Sequence, residues 1–309
     1  MNSEKLSARQ LRVAVLTGGL SAGAAAAGMA DWRWLLACVP LGIVIGWLLL
    51  RRVGGRPLNP LLQLLYPAWG LVLMTYTLDR TAKRLLAGSG GQGSVLWPLA
   101  LLTLPLLWMG WRRAAAFFRA AEILWLGTVV TVAAILLLGL TRIDWRWTLE
   151  PAGGWQTSLG AGTVTLSTGL VALPYLYKVE EEPGSTHRGL VWLGALGLLS
   201  AALAALTAGL LSPAVAALLD EPFFAAAGLL GDSARLEGLV SALWLLPDLT
   251  LVGLLSRSWG EKRWPALGVL AALGLAASGM MERLPEITVP AGCLALAVLT
   301  AVLPPDGNK

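Results

Sequence analysis

Apolar residues in this chain occur in long runs of about 17–25 residues, the length that crosses the roughly 30 Å hydrocarbon core of a bilayer as a helix. The breaks between runs combine charged residues with Gly or Pro, as in RRVGGRP at 51–57 and GSGGQG at 88–93. The third run continues as a predicted helix through TLDRTAKRLL to about residue 86. The pattern predicts ten membrane spans, near 11–28, 32–50, 59–78, 95–111, 119–140, 157–177, 189–211, 236–256, 264–281 and 286–304.

Composition supports the same interpretation. Of the 309 residues, 56% are hydrophobic and only 13% are charged, with a mean hydropathy of +0.70. A soluble domain has about a quarter of its residues charged. The sequence therefore predicts an all-α integral membrane protein that forms a single polytopic domain over residues 1–309. The first run is followed by another span rather than by a cleavage pattern, so we expect no signal peptide.

Basic residues indicate the orientation. Ten spans place both termini on one side of the membrane. If that side is cytoplasmic, 15 of the 23 Lys and Arg residues lie inside and 8 lie outside, which is the bias expected of cytoplasmic loops. The cluster of Arg80, Lys83 and Arg84 opposes this bias. The net charge of +5 is explained by the loops and does not require a nucleic-acid partner.

The two halves of the chain begin alike. When the chain is split after span five, into repeats of about 8–142 and 155–305, each first span is a run of small residues: TGGLSAGAAAAG at 17–28 and SLGAGTVTLSTG at 158–169. In five-plus-five inverted-repeat transporters these two helices are discontinuous and present backbone groups to a ligand. The pattern predicts that fold, with a break in helix 1 at 17–23 and another in helix 6. Close helix packing without any ligand is the alternative explanation of both runs.

Several stretches resemble one family, the spore germination permeases, which are the B subunits of nutrient germinant receptors in the amino acid/polyamine/organocation transporter superfamily. The stretch KLSARQL at 5–11 is similar to the family's start before span 1, and AGMADWRWLL at 27–36 is similar to its Asp-x-Trp junction. The stretch WRRAAAFFRAAEIL at 111–124 resembles the region leading into span 5, and ARLEGLVSALW at 234–244 resembles the opening of span 8.

The resemblance implies a ten-span inverted repeat with a small-molecule pocket between spans 1, 3, 6 and 8. It also implies partner receptor subunits: a membrane protein with soluble domains and a lipoprotein. The expected location is the spore inner membrane or the cell membrane. The ligand implied is a small nutrient, an amino acid, bound between helices 1 and 6. The residues expected to line the site are Thr17, Gly18, Gly19, Ser21, Gly23, Tyr76, Gly160, Gly162, Thr163, Thr165 and Asp248.

Individual side chains leave alternatives open. Asp248 follows Pro247 near the middle of span 8, where an acid costs roughly 2.5–3.5 kcal/mol on insertion scales. It is either a partner for a proton or a ligand ammonium, or a hydrogen-bond acceptor at the proline kink. Tyr76 either closes over a pocket or anchors the helix at the interface. Arg119 and Glu122 are expected to pair on one face of span 5.

Metal and catalytic chemistry have little support in the sequence. The two cysteines, Cys38 and Cys293, and the single histidine, His187, are not spaced as metal ligands. The acidic run at 180–182 is expected to be a solvated loop, because three adjacent side chains cannot converge on one ion. No serine and acid are placed to work with His187, so no enzyme activity, metal or cofactor is expected.

Three functions remain open. The first is a germinant-receptor subunit that binds a nutrient and signals to its partners. The second is a proton-coupled amino-acid permease in which Asp248 carries the proton. The third is a membrane scaffold subunit that binds no ligand.

Overall fold

The computed structural model of the chain describes residues 7–27, 30–53, 58–89, 93–151, 158–159, 162, 185–231, 235–260, 263–283 and 288–303. Within these ranges every regular element is helical. The α-helices are α1 (Ala8–Ala26), α2 (Trp32–Val53), α3 (Pro60–Gly88), α4 (Leu96–Trp111), α5 (Ala114–Leu140), α6 (Trp145–Leu149), α7 (Ser185–Leu211), α8 (Pro213–Ala216), α9 (Pro222–Gly228), α10 (Arg235–Leu243), α11 (Leu245–Ser256), α12 (Trp264–Ala277) and α13 (Thr288–Val302).

Among the described residues, four helical segments are long and apolar enough to cross a bilayer: Pro60–Gly88, Ala114–Leu140, Trp192–Leu211 and Leu236–Trp259. Together with the shorter apolar helices, they make this an all-α membrane-spanning protein. Nine of the ten predicted spans fall on the described helices, and α3 continues to Gly88, two residues beyond its predicted extension. Of the sixth predicted span, only residues 158, 159 and 162 lie within the described residues, and all three are helical.

Helix α1 differs from its prediction, because it runs without interruption from Ala8 to Ala26. The predicted break at 17–23 is therefore wrong. Its small residues serve helix packing: a Cβ on Gly18 would lie 3.1 Å from the Cα of Leu251, and Gly23 directly contacts Ser200 of α7. A continuous helix bonds its own amide and carbonyl groups, and close packing against two neighbours stabilises that arrangement.

The eighth predicted span consists of two helices, α10 and α11, separated at Trp244. The interruption is local, because the Trp244 amide donates to the Val240 carbonyl at 2.8 Å and the Asp248 amide donates to the Trp244 carbonyl at 3.4 Å. Pro247 lies between these two bonds and has no amide hydrogen to donate to the preceding turn. The Asp248 carboxylate accepts from side chains of α1 and α3, so its hydrogen bonds are not made to the helix interruption.

Residues at the junction between α1 and α2 form hydrogen bonds with α6 and with Ser158, at the start of the sixth predicted span. The Asp31 carboxylate accepts a hydrogen bond from the Arg33 amide at 2.9 Å, and the Asp31 amide donates to the Ser158 hydroxyl at 3.0 Å. The Trp32 indole donates to the Thr148 carbonyl at 2.9 Å, and the Arg33 guanidinium donates to the next carbonyl. The Asp-Trp-Arg sequence therefore holds α6 and Ser158 against the end of α1.

Two large apolar clusters fill most of the bundle, and a smaller one lies between the start of α3 and the end of α13. The first large cluster is built from α3, α4, α11, α12, α13 and the starts of α1 and α5, around the Phe117 and Phe118 rings. The second is built from α2, α7, α9, α10 and the later parts of α1 and α5, around Phe223, Phe224 and Trp244. Because α1 and α5 contribute to both large clusters, the polar side chains on the inner face of α1 lie near their boundary.

The outer surface of the bundle is apolar. On α5, the side chains of Ile123, Leu126, Val130 and Leu137 are all more than half exposed and follow helical spacing. In water, so much exposed apolar area would be costly, whereas lipid chains solvate it. The exposed stripe is the surface expected of a helix that faces lipid.

The close approach of α4 and α12 gives a test of this packing. A Cβ on Gly110 would lie 2.9 Å from the Cα of Ala266, so one backbone would have to move. We expect Gly110→Ala to destabilise the protein by about 1–3 kcal/mol. Gly274→Ala on α12 is the matched control, because nothing lies within 4 Å of its Cβ position. Thermal melting in detergent should show a lower Tm for the first variant alone, and equal melting of both would contradict the packing.

Candidate functional site

The centre of the candidate site is the buried carboxylate of Asp248. One oxygen accepts a hydrogen bond from the Ser21 hydroxyl of α1 at 2.5 Å. The other accepts from the Thr81 hydroxyl at 2.9 Å and from the Arg84 guanidinium at 2.5 Å, both on α3. Three helices thus meet at one acid. Three of the carboxylate's about four acceptor positions are thus occupied, so a proton or ligand has little room at Asp248 unless one of these donors moves.

Arg84 is buried as deeply as its partner, with side-chain exposures of 3% and 4% in the pair. Its Nη2 atom donates to Asp248, but its Nε and Nη1 atoms have no hydrogen-bond partner among the described residues. The guanidinium carbon lies 4.4 Å from the centre of the Phe224 ring, which covers one face of the cation. A guanidinium has five N–H groups, and burying them without acceptors is costly. Arg84 therefore retains donors that could bind a further anionic group.

A second ion pair lies closer to the surface. Arg80, one helical turn before Arg84, donates to both carboxylate oxygens of Glu221 at 2.6 and 3.1 Å. Its third nitrogen donates to the Ser21 carbonyl at 3.2 Å. The two side chains are 14% and 19% exposed, compared with 3% and 4% in the inner pair. Ser21 joins the two pairs, since its hydroxyl bonds Asp248 and its carbonyl bonds Arg80.

The connection between α7 and α10 covers this cluster. Glu221 precedes α9, and the first turn of α9 contains Phe223 and Phe224. The Phe223 and Trp244 rings are 4.7 Å apart, and the Phe224 ring lies over Arg84. One short segment thus contacts Arg80 through a carboxylate and Arg84 through a ring. Movement of this segment would uncover both arginines.

A neighbouring stripe of α3 carries a charge pair that reaches the surface at Lys83. Lys83 lies 3.0 Å from the carboxylate of Asp79, one turn away, and 2.9 Å from that of Glu282. The hydrogen bond from Lys83, followed by the charge of Lys83, lowers the pKa of the exposed Glu282. Residues 79 and 83 form one i,i+4 stripe of α3, and residues 80 and 84 form the next. Asp79 and Arg80 are similarly buried, so the first stripe differs from the second by the exposed Lys83 and its contact with Glu282.

This placement corrects the orientation count. Arg80 and Arg84 are counted in the sequence analysis as residues of an outer segment, but in the structure they belong to α3 and form buried ion pairs. The orientation rule applies to basic residues in loops, so neither arginine informs it. Of the eight basic residues counted outside, these two no longer oppose cytoplasmic termini.

The predicted residues of span 1 have separate roles. Ser21 belongs to the cluster. The Thr17 hydroxyl donates to the Val13 carbonyl at 2.7 Å within its own helix, so it is already satisfied. Gly18 and Gly23 pack against neighbouring helices, as described above, and Gly19 is buried within α1.

Of the other predicted residues, Asp248 belongs to the cluster, while Tyr76 is half-buried and packs against the apolar cluster around Phe117. Gly162 packs against α2, where its Cβ position lies 3.0 Å from the Cys38 sulfur. The remaining predicted residues, Gly160, Thr163 and Thr165, lie outside the described residues.

The predicted pairing of Arg119 with Glu122 is wrong, because Glu122 contacts side chains of α1 instead. Glu122 lies 3.5 Å from the Arg9 guanidinium and accepts a hydrogen bond from the Gln10 amide at 3.4 Å, while Arg119 is exposed. The start of α1 packs against α5, so the long side chains of α1 reach Glu122. These contacts join two stretches, KLSARQL and WRRAAAFFRAAEIL, that carry the family resemblance.

Sequence reasoning missed four members of the cluster: Arg80, Thr81, Arg84 and Glu221. A signal for two of them was present. If α3 continues through residue 86, Arg80 and Arg84 lie one turn apart on one helical face, and an arginine within a span needs an acidic partner. Asp248 was the acid placed deepest in a predicted span. Glu221, in a connection between helices, carried no comparable signal.

No protein-family model and no curated protein matches the sequence.

The inner ion pair gives a second prediction. Arg84→Met or Asp248→Asn alone leaves one buried charge without its partner, and each should destabilise the protein by about 3–5 kcal/mol. The double variant Arg84→Met/Asp248→Asn removes both charges and should recover most of the loss. Glu282→Gln, which breaks an exposed pair, should change the melting temperature little. The melting temperatures of these four variants and the wild type are measured in detergent. A double variant whose loss of stability equals the sum of the two single losses would contradict a coupled pair.

Proposed function

We propose that this protein is the membrane subunit of a spore nutrient germinant receptor, and that it binds an amino acid at Arg84 and Asp248. The observation that carries the proposal is a buried ion pair in which the cation still has unused donors. The resemblance of four sequence stretches to the germination permeases supports the receptor role. The spore inner membrane or cell membrane, with both termini cytoplasmic, is the proposed location.

Charge balance favours a zwitterion as the ligand. An amino-acid carboxylate matches the guanidinium of Arg84, and an ammonium matches the carboxylate of Asp248. Exchanging the internal pair for two pairs with the ligand leaves the buried site neutral throughout. A ligand with a single charge would leave one buried charge uncompensated, which costs several kcal/mol.

Helix packing supports a five-plus-five inverted repeat. When the spans are numbered by prediction, the second packs against the seventh (α2 with α7), the third against the eighth (α3 with α11) and the fourth against the ninth (α4 with α12). In a chain of two equivalent five-helix halves, spans n and n+5 are equivalent, and those nearest the symmetry axis contact each other. The contact of Gly23 with α7 also has a counterpart in the contact of Gly162 with α2.

The continuous α1 changes how such a site would work. In the described residues, α1 offers side chains, with Ser21 as the polar one at Asp248, rather than an unwound backbone. Ligand binding would release Ser21 or Arg84 from Asp248. Because Ser21 also holds Arg80, the change would reach Glu221 and the segment before α10. Partner subunits, a membrane protein with soluble domains and a lipoprotein, would respond to that movement.

Binding of simple compounds tests the ligand class. The purified full chain should be stabilised against heat by alanine, but not by propionate or ethylamine, each of which carries only one of the two charges. The Arg84→Met/Asp248→Asn variant should lose about 30-fold or more in affinity for alanine. Its recovered stability separates loss of binding from loss of folding. Lys83→Gln is the control, since Lys83 is an exposed basic residue of the same helix.

Stabilisation of the wild-type chain by propionate or ethylamine as strong as that by alanine would contradict the zwitterion site. Uptake of labelled alanine into proteoliposomes distinguishes the receptor from a permease. Uptake driven by a pH gradient, and abolished in Asp248→Asn, would replace the receptor proposal with proton-coupled transport. Alanine binding without uptake is the result expected of a receptor subunit.

A further inference from the structure

Two turns that are far apart in sequence meet at one end of the bundle. Residues 111–113 join α4 to α5, and residues 257–263 join α11 to α12. The guanidinium of Arg257 donates a hydrogen bond to the Met109 carbonyl and lies 5.6 Å from the Phe117 ring centre. The backbone of Gly110 packs against that of Ala266. The buried Arg257 therefore fixes the two turns side by side.

The joined turns are strongly basic. Their sequences, WRR and RSWGEKR, contain five basic residues and one acidic residue. Arg112, Arg113 and Arg263 are exposed. In the part of the chain that the structure describes, no carboxylate lies within ion-pair distance of Arg112 or Arg263. This surface contrasts with the candidate site, where Arg80 and Arg84 each have an acidic partner.

Tryptophans surround these arginines. The indole rings of Trp108, Trp111 and Trp264 are 49%, 62% and 60% exposed. The Arg112 guanidinium lies 5.5 Å from the Trp108 ring centre, and that of Arg263 lies 5.8 Å from the Trp111 ring centre. A ring contact occupies the flat face of a guanidinium and leaves its N–H edges for oxygen acceptors. Exposed tryptophans at the ends of apolar helices belong at the headgroup level of a bilayer.

We propose that Arg112, Arg263 and the surrounding tryptophans form a binding surface for the headgroup of an anionic phospholipid. The phosphate oxygens accept hydrogen bonds from the two guanidinium edges, and the indole rings lie among the upper acyl chains and glycerol groups. Positive side chains at this depth attract anionic lipid, and each strengthens binding about fivefold. The surface lies apart from Asp248 and does not depend on the proposed receptor function.

Native mass spectrometry of the purified full chain tests this surface with phosphatidylglycerol and phosphatidylcholine of identical acyl chains. The wild type should bind phosphatidylglycerol at least tenfold more tightly. The Arg112→Gln/Arg263→Gln variant should lose about 25-fold in affinity for phosphatidylglycerol, at fivefold per arginine, with unchanged affinity for phosphatidylcholine. Arg112→Lys/Arg263→Lys keeps the charge and should retain most of the preference. Both variants change exposed side chains, so their melting temperatures should stay at the wild-type value.

The control variant is Arg146→Gln/Arg283→Gln, which removes two exposed arginines beyond the far ends of α5 and α12 and should keep the wild-type lipid preference. Equal binding of the two lipids by the wild type would overturn the proposal and would favour an acidic protein segment as the partner. Full competition by millimolar glycerol phosphate would also overturn it, because the surface would then bind free phosphate esters rather than membrane lipid.

Discussion

The ion pair between Arg84 and Asp248 joins helices that are far apart in the sequence. Its two charges lie inside a bundle whose outer surface is apolar, so neither is stable there without the other. The pair joins α3 to α11, and the Ser21 hydroxyl brings α1 to the same carboxylate. Three helices are thereby fixed at one point between the two large apolar clusters.

The pair also limits what the site can do. Ser21, Thr81 and Arg84 all donate to one acid, so loss of the charge on Asp248 would weaken hydrogen bonds from α1 and α3 together. The outer pair of Arg80 and Glu221 extends this coupling through the Ser21 carbonyl. The two arginines balance the two carboxylates, so hydrogen bonds in this cluster can change partners without leaving a net buried charge. This property fits the proposed receptor, in which ligand binding moves helices. It suits free passage of single ions poorly, because a moving ion would leave a buried charge unpaired.

Much of the fold was predictable from the sequence, because lipid imposes a simple rule. A span needs about twenty apolar residues, and a helix satisfies its own backbone, so the boundaries of α4 and the extension of α3 to Gly88 could be read along the chain. The continuity of α1 could not, since a run of Gly, Ala and Ser fits both a broken helix and a closely packed one. Contacts with Leu251 and Ser200, both more than 170 residues away, decide between them.

The candidate site shows the same division. The sequence by itself determined that Asp248 lies within a span and that Arg80 and Arg84 share a helical face, because these depend on local apolar runs and the helical repeat. Only the tertiary structure decided that Ser21, Thr81 and Arg84 meet Asp248, that Glu122 pairs with Arg9 rather than Arg119, and that Thr17 bonds only its own helix. The physical reason is that helix formation is set by neighbouring residues and the bilayer, whereas the partner of a buried charge is set by which helices pack together.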